Sequence, residues 1–467
     1  MSSVSALNSL LGSSSSSSNG VDISSILQAL TGSTSSGLDV TTAVDAAVTA
    51  AAAPETAWNT QLTSTENQVS TLQQIQTDVQ NLDNDVQQLN SITGPLASNT
   101  ATSSNSSIVS ATAASGTALG THVVTVNNLA STATWTSGEF ASSSTDLPAG
   151  SFTITTGSGA TQTITTDGTQ SLTDVANQIN GDNLGVTASV ITDANGARLA
   201  IVANSSGSAA NFTISGSSNF GFTQPVTGTN ASLTVDGVSI SSASNTVTGA
   251  LSGVTLSLLG ASTGTPVTLN IQPDTSSAST AINQFVTDYN KVMSDINAQF
   301  NDTSSGQGPL AQDSNIINLQ NAVEQALDFV ATGSSVNLSS LGISFNNDGS
   351  LSVNSSTLQN TLQNNFAGVQ SFFQGSALNG FANNMDQQLT NFLAPGSGAF
   401  TVDLQSMNSE ETTLKQDITN FQTTVLAPLQ TRMQTEFSTA ETELQELPME
   451  LKQISAEFGN NSNSSNG

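Results

Sequence analysis

Charge is what this sequence has least of. Only 8% of its 467 residues are Asp, Glu, Lys or Arg, where soluble proteins average about 25%. The basic residues are Arg198, Lys291, Lys415, Arg432 and Lys452, and the net charge is −29. With no Lys/Arg cluster to neutralise phosphates, nucleic acid is a very poor candidate partner. An anionic membrane surface is disfavoured for the same reason. Cysteine is absent, which removes disulfides, thiolate nucleophiles and Cys-based zinc sites. His122 is the only histidine, so multi-histidine metal sites are excluded too. No stretch is long and apolar enough to span a bilayer. The opening "MSSVSALNSLLGSSSSSSNG" lacks the basic region and long apolar core of a secretory signal.

Ser, Thr, Asn and Gln fill the space that charge leaves. Such a surface suits an extracellular structural or adhesive protein, exported without a cleaved signal. It also suits acid. At pH near ~3 most carboxylates are protonated, and a neutral polar surface changes little.

Helical periodicity marks both ends of the chain. Residues 1–36 are Ser-rich and too poor in apolar side chains to fold alone. Asp39 is placed to cap "VTTAVDAAVTAAAA", and Pro54 then interrupts, either in the first turn of a second helix or as a kink. A heptad seam then runs through Trp58, Leu62, Thr65, Val69, Leu72, Ile75, Val79, Leu82, Val86 and Leu89. The spacing of three between Leu72 and Ile75 is a stammer. At ~1.5 Å per residue, a helix from Pro54 to Leu89 reaches ~50 Å. Near the other end, Leu414, Ile418, Phe421 and Val425 form a seam that Pro428 disturbs. It resumes as Phe437, Ala440, Leu444, Leu447, Leu451, Ile454 and Phe458, with a kink expected at Pro448. Paired long helices imply that the termini associate with each other or with neighbouring subunits.

The centre, from about Asn105 to Pro273, alternates with the period of strands. "THVVTVNNLA", "SFTITTG" and "TQTITTDG" are examples, and "SLTDVANQIN" interrupts them as a short helix. Asn195-Gly196 and Asp236-Gly237 mark hairpins that need positive φ. After Pro273 helices return. Ile282, Phe285, Val286, Tyr289, Val292, Met293, Ile296 and Phe300 share one face, capped by Ser276 or Ser277. "LGISFNNDGSLSVN" is a hairpin.

The expected fold is multidomain α and β: long coiled-coil helices from both termini form a leg, with an inserted strand-rich α+β head. The segments are 1–36, a disordered tail; 37–98, N-terminal leg helices; and 99–275, the head. Two subdomains divide the head, one of about 105–130 plus 231–275 and the other 131–230. Then come 276–400, a helical body with a small hairpin; 401–458, C-terminal coiled-coil helices; and 459–467, a disordered tail.

Chemistry finds little purchase. Tyr289 in "DYN" lies on an apolar stripe, so its ring belongs to the core with its hydroxyl bonded nearby. "SFNNDG" has the oxygen spacing of a calcium loop, but Ser355 stands where a bidentate Glu is required. "GSGATQ" leads into a strand and lacks the third glycine of a dinucleotide turn. The acidic residues form no convincing carboxylate pair in sequence. No catalytic, cofactor or metal residue is assigned, and the chain reads as a non-enzyme.

Several stretches, in order, resemble the bacterial flagellar filament cap family, hook-associated protein 2. They are "GLDV" before Pro54, "THVVTVNNLA", "LTDVANQIN" with "GVTASVITDANGARLAIVAN", "LTVDGVSISSASNTVTGALSGVTLSL", "AINQFVTDYNKV" and "LGISFNNDGSLSV". The terminal helices depart from the family in carrying far less Lys, Arg and Glu, so apolar seams and amides replace salt bridges between subunits. The resemblance implies a ring of about four to six subunits at the filament tip. It implies flagellin and hook–filament junction proteins as partners, with an export chaperone at the C-terminal helices. Export follows the flagellar type III route, and exported flagellin folds and is placed beneath the ring. The self-association seam is read as Leu72, Ile75, Val79, Leu82, Leu444, Leu447, Leu451 and Ile454. Phe285, Tyr289 and Asn290 are read as the head–leg junction, and the stammer and Pro428 as paired hinges. A glycan- or mucin-binding adhesin, or another junction or filament protein, is the alternative.

Overall fold

The computed structural model describes residues 40–216, 219–301, 306–330 and 335–459. The tail 1–36, the cap Asp39 and the last residues of the tail 459–467 lie outside them. Ten α-helices are described: α1 (Val40–Ala51), α2 (Ala53–Asn90), α3 (Leu172–Gly181), α4 (Thr275–Phe300), α5 (Ser314–Leu327), α6 (Ser355–Asn364), α7 (Phe366–Gln374), α8 (Phe381–Leu393), α9 (Ala399–Phe421) and α10 (Ala427–Gly459). Helices thus occupy both ends and strands the middle, as the periodicities dictate. The chain forms two compact units, Met1–Asn81 with Lys291–Glu324 and Gln387–Gly467, and Leu82–Asn290 with Gln325–Asp386.

In the first unit α2 and α9 run antiparallel. Contacts step down α9 as they step up α2: Glu55 to Gln422, Trp58 edge-on to Phe421 at 5.4 Å, and Glu66 to Lys415. Pro54 sits in the first turn of α2, where its missing N–H costs nothing. Thr65, Val69, Leu72, Ile75 and Val79 are buried along the seam, so the stammer is accommodated within one unbroken helix. Beyond Phe421 the chain enters a π-helical turn, Gln422–Leu426, before α10. Pro428 explains it, since its ring crowds the preceding turn and it offers no N–H there. The extra residue of a π-turn shifts the apolar stripe by one position. Val425, expected on the seam, is therefore 43% exposed. Leu426, Leu429, Met433, Phe437 and Ala440 take over as a half-buried stripe. α10 packs on α1, which buries Ala43 and Val44, and continues through Pro448.

The second unit holds the strands. β1 (Asn99–Ser103), β2 (Val109–Ala113), β3 (Gly120–Asn128), β4 (Thr134–Thr136), β5 (Gly150–Thr156), β6 (Thr161–Thr166), β7 (Val186–Thr192), β8 (Ala197–Ala203), β9 (Phe212–Ser215), β10 (Thr223–Val226), β11 (Ala231–Val235), β12 (Val238–Ser242), β13 (Thr246–Leu251), β14 (Val254–Leu258) and β15 (Val267–Pro273) follow one another, interrupted only by α3 and a short 3-10 turn. A five-stranded antiparallel sheet, β1-β15-β3-β11-β12, and a three-stranded one, β13-β14-β2, enclose one core built on Val124, Leu233, Leu256 and Leu269. Between β3 and β11 the chain makes a separate core from β10-β4-β8-β7, β6-β5-β9 and α3, filled by Phe152, Ile154, Ile179, Ile201 and Phe212. Ser171 and Asp174 form a capping box that fixes the start of α3. Asp236 and Gly237 both take positive φ in the tight β11–β12 hairpin. The β7–β8 turn is built differently. Asp193 Oδ1 accepts from the backbone N–H groups of Asn195 and Gly196, which replaces the expected Asn-Gly turn by an Asp-led loop.

At the return to helix, Asp274 N–H donates to Ser98 O. Its carboxylate, not Ser276 or Ser277, caps α4, accepting from both serine N–H groups and the Ser277 hydroxyl. A hairpin, β16 (Ile343–Phe345) with β17 (Leu351–Val353), the helices α6 and α7 and the start of α8 complete the unit.

Candidate functional site

The stretch "DYN" serves the fold. The Tyr289 hydroxyl donates to Gly349 O at 3.1 Å. Asn290 imitates a strand edge: its Nδ2 donates to Leu351 O at 2.8 Å and its Oδ1 accepts Leu351 N–H at 2.6 Å. Phe285 meets Phe381 edge-on at 5.6 Å. These three residues therefore clasp α4 to the β16–β17 hairpin and to α8. His122 Nδ1 lies 2.8 Å from Asp236 Oδ2, and that bond first of all holds the Asp236 carboxyl below its usual range. Trp135 packs on Phe212 and donates to its carbonyl at 3.0 Å. Among the described residues no group of His, Cys, Asp or Glu could hold a metal ion, and no helix is long and apolar enough to cross a membrane.

The sequence-predicted seam divides in two. Leu72, Ile75 and Val79 in the first unit, and Leu82 in the second, are fully buried by their own chain. They have no surface left for a partner in this conformation. On α10, Leu447 is 48% exposed and Ile454 51%, one heptad apart in continuation of the half-buried stripe. The side chains of Leu444, Leu451 and Phe458 lie outside the described residues. These two apolar side chains stand out on a polar helix that carries Glu443, Glu446 and Glu450 around them, and they are available for contact.

Aspartates that face one another across helices are what sequence reasoning missed. In the first unit Lys291 Nζ lies 2.6 Å from Asp295 and 3.2 Å from Asp78. Burial pushes the Asp295 carboxyl up, with Asp78 adding to it. For Asp78 the same burial is outweighed by bonds from Asp295, Gln74 and Lys291, and its pKa is lowered. Burial and then the charge of Asp403 raise Asp313, against the Asn315 N–H that it accepts. In the second unit Asp83 faces Asp386, and Asp85 faces Asp288. Only the chain's tertiary path brings these pairs together, and no spacing in the sequence signals them.

Comparison with known proteins agrees with this arrangement of helices and strands. A family model described as "Flagellar hook-associated protein 2 N-terminus" matches residues 36–133, and one described as "Flagellar hook-associated protein 2 C-terminus" matches 228–448. A "Flagellin hook IN motif" matches 151–205. The B-type flagellar hook-associated protein 2 of Pseudomonas aeruginosa is 26% identical over 387 residues, covering 73% of this chain and 78% of that one. The crystal structure of the D1-D2-D3 domains of the flagellar cap protein FliD from Escherichia coli is similar with a TM-score of 0.58 at 25% identity, covering 72% of this chain and 99% of that one.

Proposed function

This chain belongs to the flagellar hook-associated protein 2 family and is a flagellar filament cap protein, and from that premise we propose that its copies close into a ring of about four to six subunits at the filament tip. The strand-rich parts form the plate, and the terminal helices reach the last flagellin or junction subunits. Newly exported flagellin folds beneath the plate and is placed there. The chain itself leaves the cell by the flagellar type III route without a cleaved signal peptide, its C-terminal helices held beforehand by an export chaperone.

The observation that carries this reading is the apolar line on α10. Leu447 and Ile454 stand half exposed on a helix whose earlier stripe is only partly covered by α1. Burying one such side chain is worth roughly 1.5–3 kcal/mol, so a neighbouring subunit or flagellin helix laid along the line gains what the single chain forgoes. Leu447 and Ile454 are thus the partner-facing part of the seam. Leu72, Ile75, Val79 and Leu82 hold the chain's own helices.

Replacing Leu447 and Ile454 together by Gln tests the division. The melt of the purified protein is expected to stay within about 0.5 kcal/mol of wild type. Sedimentation is expected to show a shift from ring to monomer, and filaments of the complemented strain to shorten. An unchanged oligomer with normal filament length would contradict it.

A further inference from the structure

Asp83 and Asp85 on α2 each meet a second carboxyl from another helix of the same unit, Asp386 of α8 and Asp288 of α4. Gln87 Nε2 lies 2.8 Å from Asp83 Oδ2 and 3.1 Å from Asp386 Oδ1, so one amide group holds both acids of the first pair. In the second pair Gln284 Nε2 donates to Asp288 Oδ2 at 3.0 Å. These amides leave something over. Among the described residues Asp83 Oδ1 and Asp85 Oδ2 are buried without a hydrogen-bond donor, and Asp83 as a whole is only 5% exposed.

A buried acceptor without a donor is costly, and more so when it is charged. Two carboxylates in contact also repel. No cation is at hand to relieve either cost. The basic side chains of this unit are Arg198 and His122, which pair with Glu139 and Asp236 in the strand-rich part. Lys291, the next residue after the unit's Asn290, is bound to Asp78 and Asp295. α7 brings only the Gln374 amide, which donates to Leu89 O and Ser91 O. The carboxyl groups on the α4 and α8 segments of this unit are Asp288, Asp386 and the cap Asp274, and Tyr289 is bonded to Gly349 O.

One proton per pair removes both costs. It cancels a charge and supplies the missing donor, turning two facing acceptors into an O–H···O⁻ bond, which is short and strong. We propose that Asp83–Asp386 and Asp85–Asp288 are proton-binding sites whose occupancy clamps α2 to α8 and to α4. Burial first, and then the partner carboxyl, raises Asp83 and Asp85 to about 7. Both stand above the ordinary 3.8 of an unfolded aspartate. The clamp is therefore fully closed below that value and is lost as pH rises through about 7. For each group the folding equilibrium shifts by up to about tenfold per pH unit in that window. Asp274 has the opposite sign. Its carboxyl, lowered chiefly by the Ser277 hydroxyl, stabilises above the unfolded value and stops doing so as pH falls further. The gain on acidification accordingly ends near pH ~4.

One consequence rests on the cap reading, while the clamp itself does not. A chain exported from a near-neutral cytoplasm is loosest there and tightens in a more acidic medium. Thermal melts of the full-length protein test the clamp without reference to filaments. The melting temperature is expected to rise as pH falls from about 8 to about 5. The double substitution Asp83→Asn and Asp85→Asn gives each partner a neutral donor. That variant is expected to melt above wild type at the alkaline end and to keep only the part of the slope that the raised Asp295 and Asp313 carboxyls supply. A flat or falling wild-type profile, or a variant whose slope equals that of wild type, would overturn the proposal. Should the variant not fold, carboxyl-carbon NMR of the wild type decides: two aspartates titrating above pH ~6 support the clamp, and all titrating below ~5 overturn it.

Discussion

Asn290 does with one side chain what a neighbouring strand does with its backbone, pairing both the N–H and the C=O of Leu351. Asn290→Ala leaves both groups bare at a half-buried site. It is expected to destabilise the full chain by about 1–3 kcal/mol, read as a lower denaturant midpoint, and an unchanged midpoint would show that water replaces the amide. The role was half legible. The apolar period put Tyr289 on the core face and left Asn290 beside it, but nothing local named Leu351 as the partner. The aspartate pairs were less legible still, since 299 positions separate Gln87 from Asp386, whose carboxyl it shares with Asp83. Asp274 was the opposite case. It stands directly before the serines that were read as caps, and a carboxylate that accepts two backbone N–H groups is the stronger cap.

Elements were legible where a period repeats locally. The heptads gave α2, the alternation gave the strands, and Ser171 with Asp174 gave α3 its start. The register across Gln422–Leu426 was not, because a π-turn inserts one residue there that no heptad count foresees, whereas Phe437 and Ala440 lie on the observed stripe. Its physical cause, Pro428, was in view. Since successive residues on a helix turn by about 100°, that insertion decides whether Val425 or Leu426 joins the seam. Pro428→Ala restores the N–H and removes the clash. The π-turn is then expected to relax to α-helix, exposing Leu426 and rotating α10 against α1. Swimming and filament length should both suffer, and wild-type behaviour in both would mean that the turn does not set the register. The stammer at Leu72 and Ile75 needs no comparable device, because both side chains are fully buried within the continuous α2.

For the whole molecule, scarcity of charge turns out to have an internal counterpart. Few cations are available to pair with buried aspartates, so in the second unit carboxyls pair with carboxyls. The strand-rich part carries a separate core of Phe152, Ile179 and Phe212, formed by the chain between β3 and β11. Leu447 and Ile454 stand half exposed on α10 in continuation of its half-buried stripe. The most direct measurement is made on the medium around a strain that lacks this protein. If it caps the filament, flagellin is exported but lost, and the expected result is unpolymerised flagellin in the medium with filaments absent, both reversed by restoring the gene. Filaments of normal length in the deletion strain would contradict it.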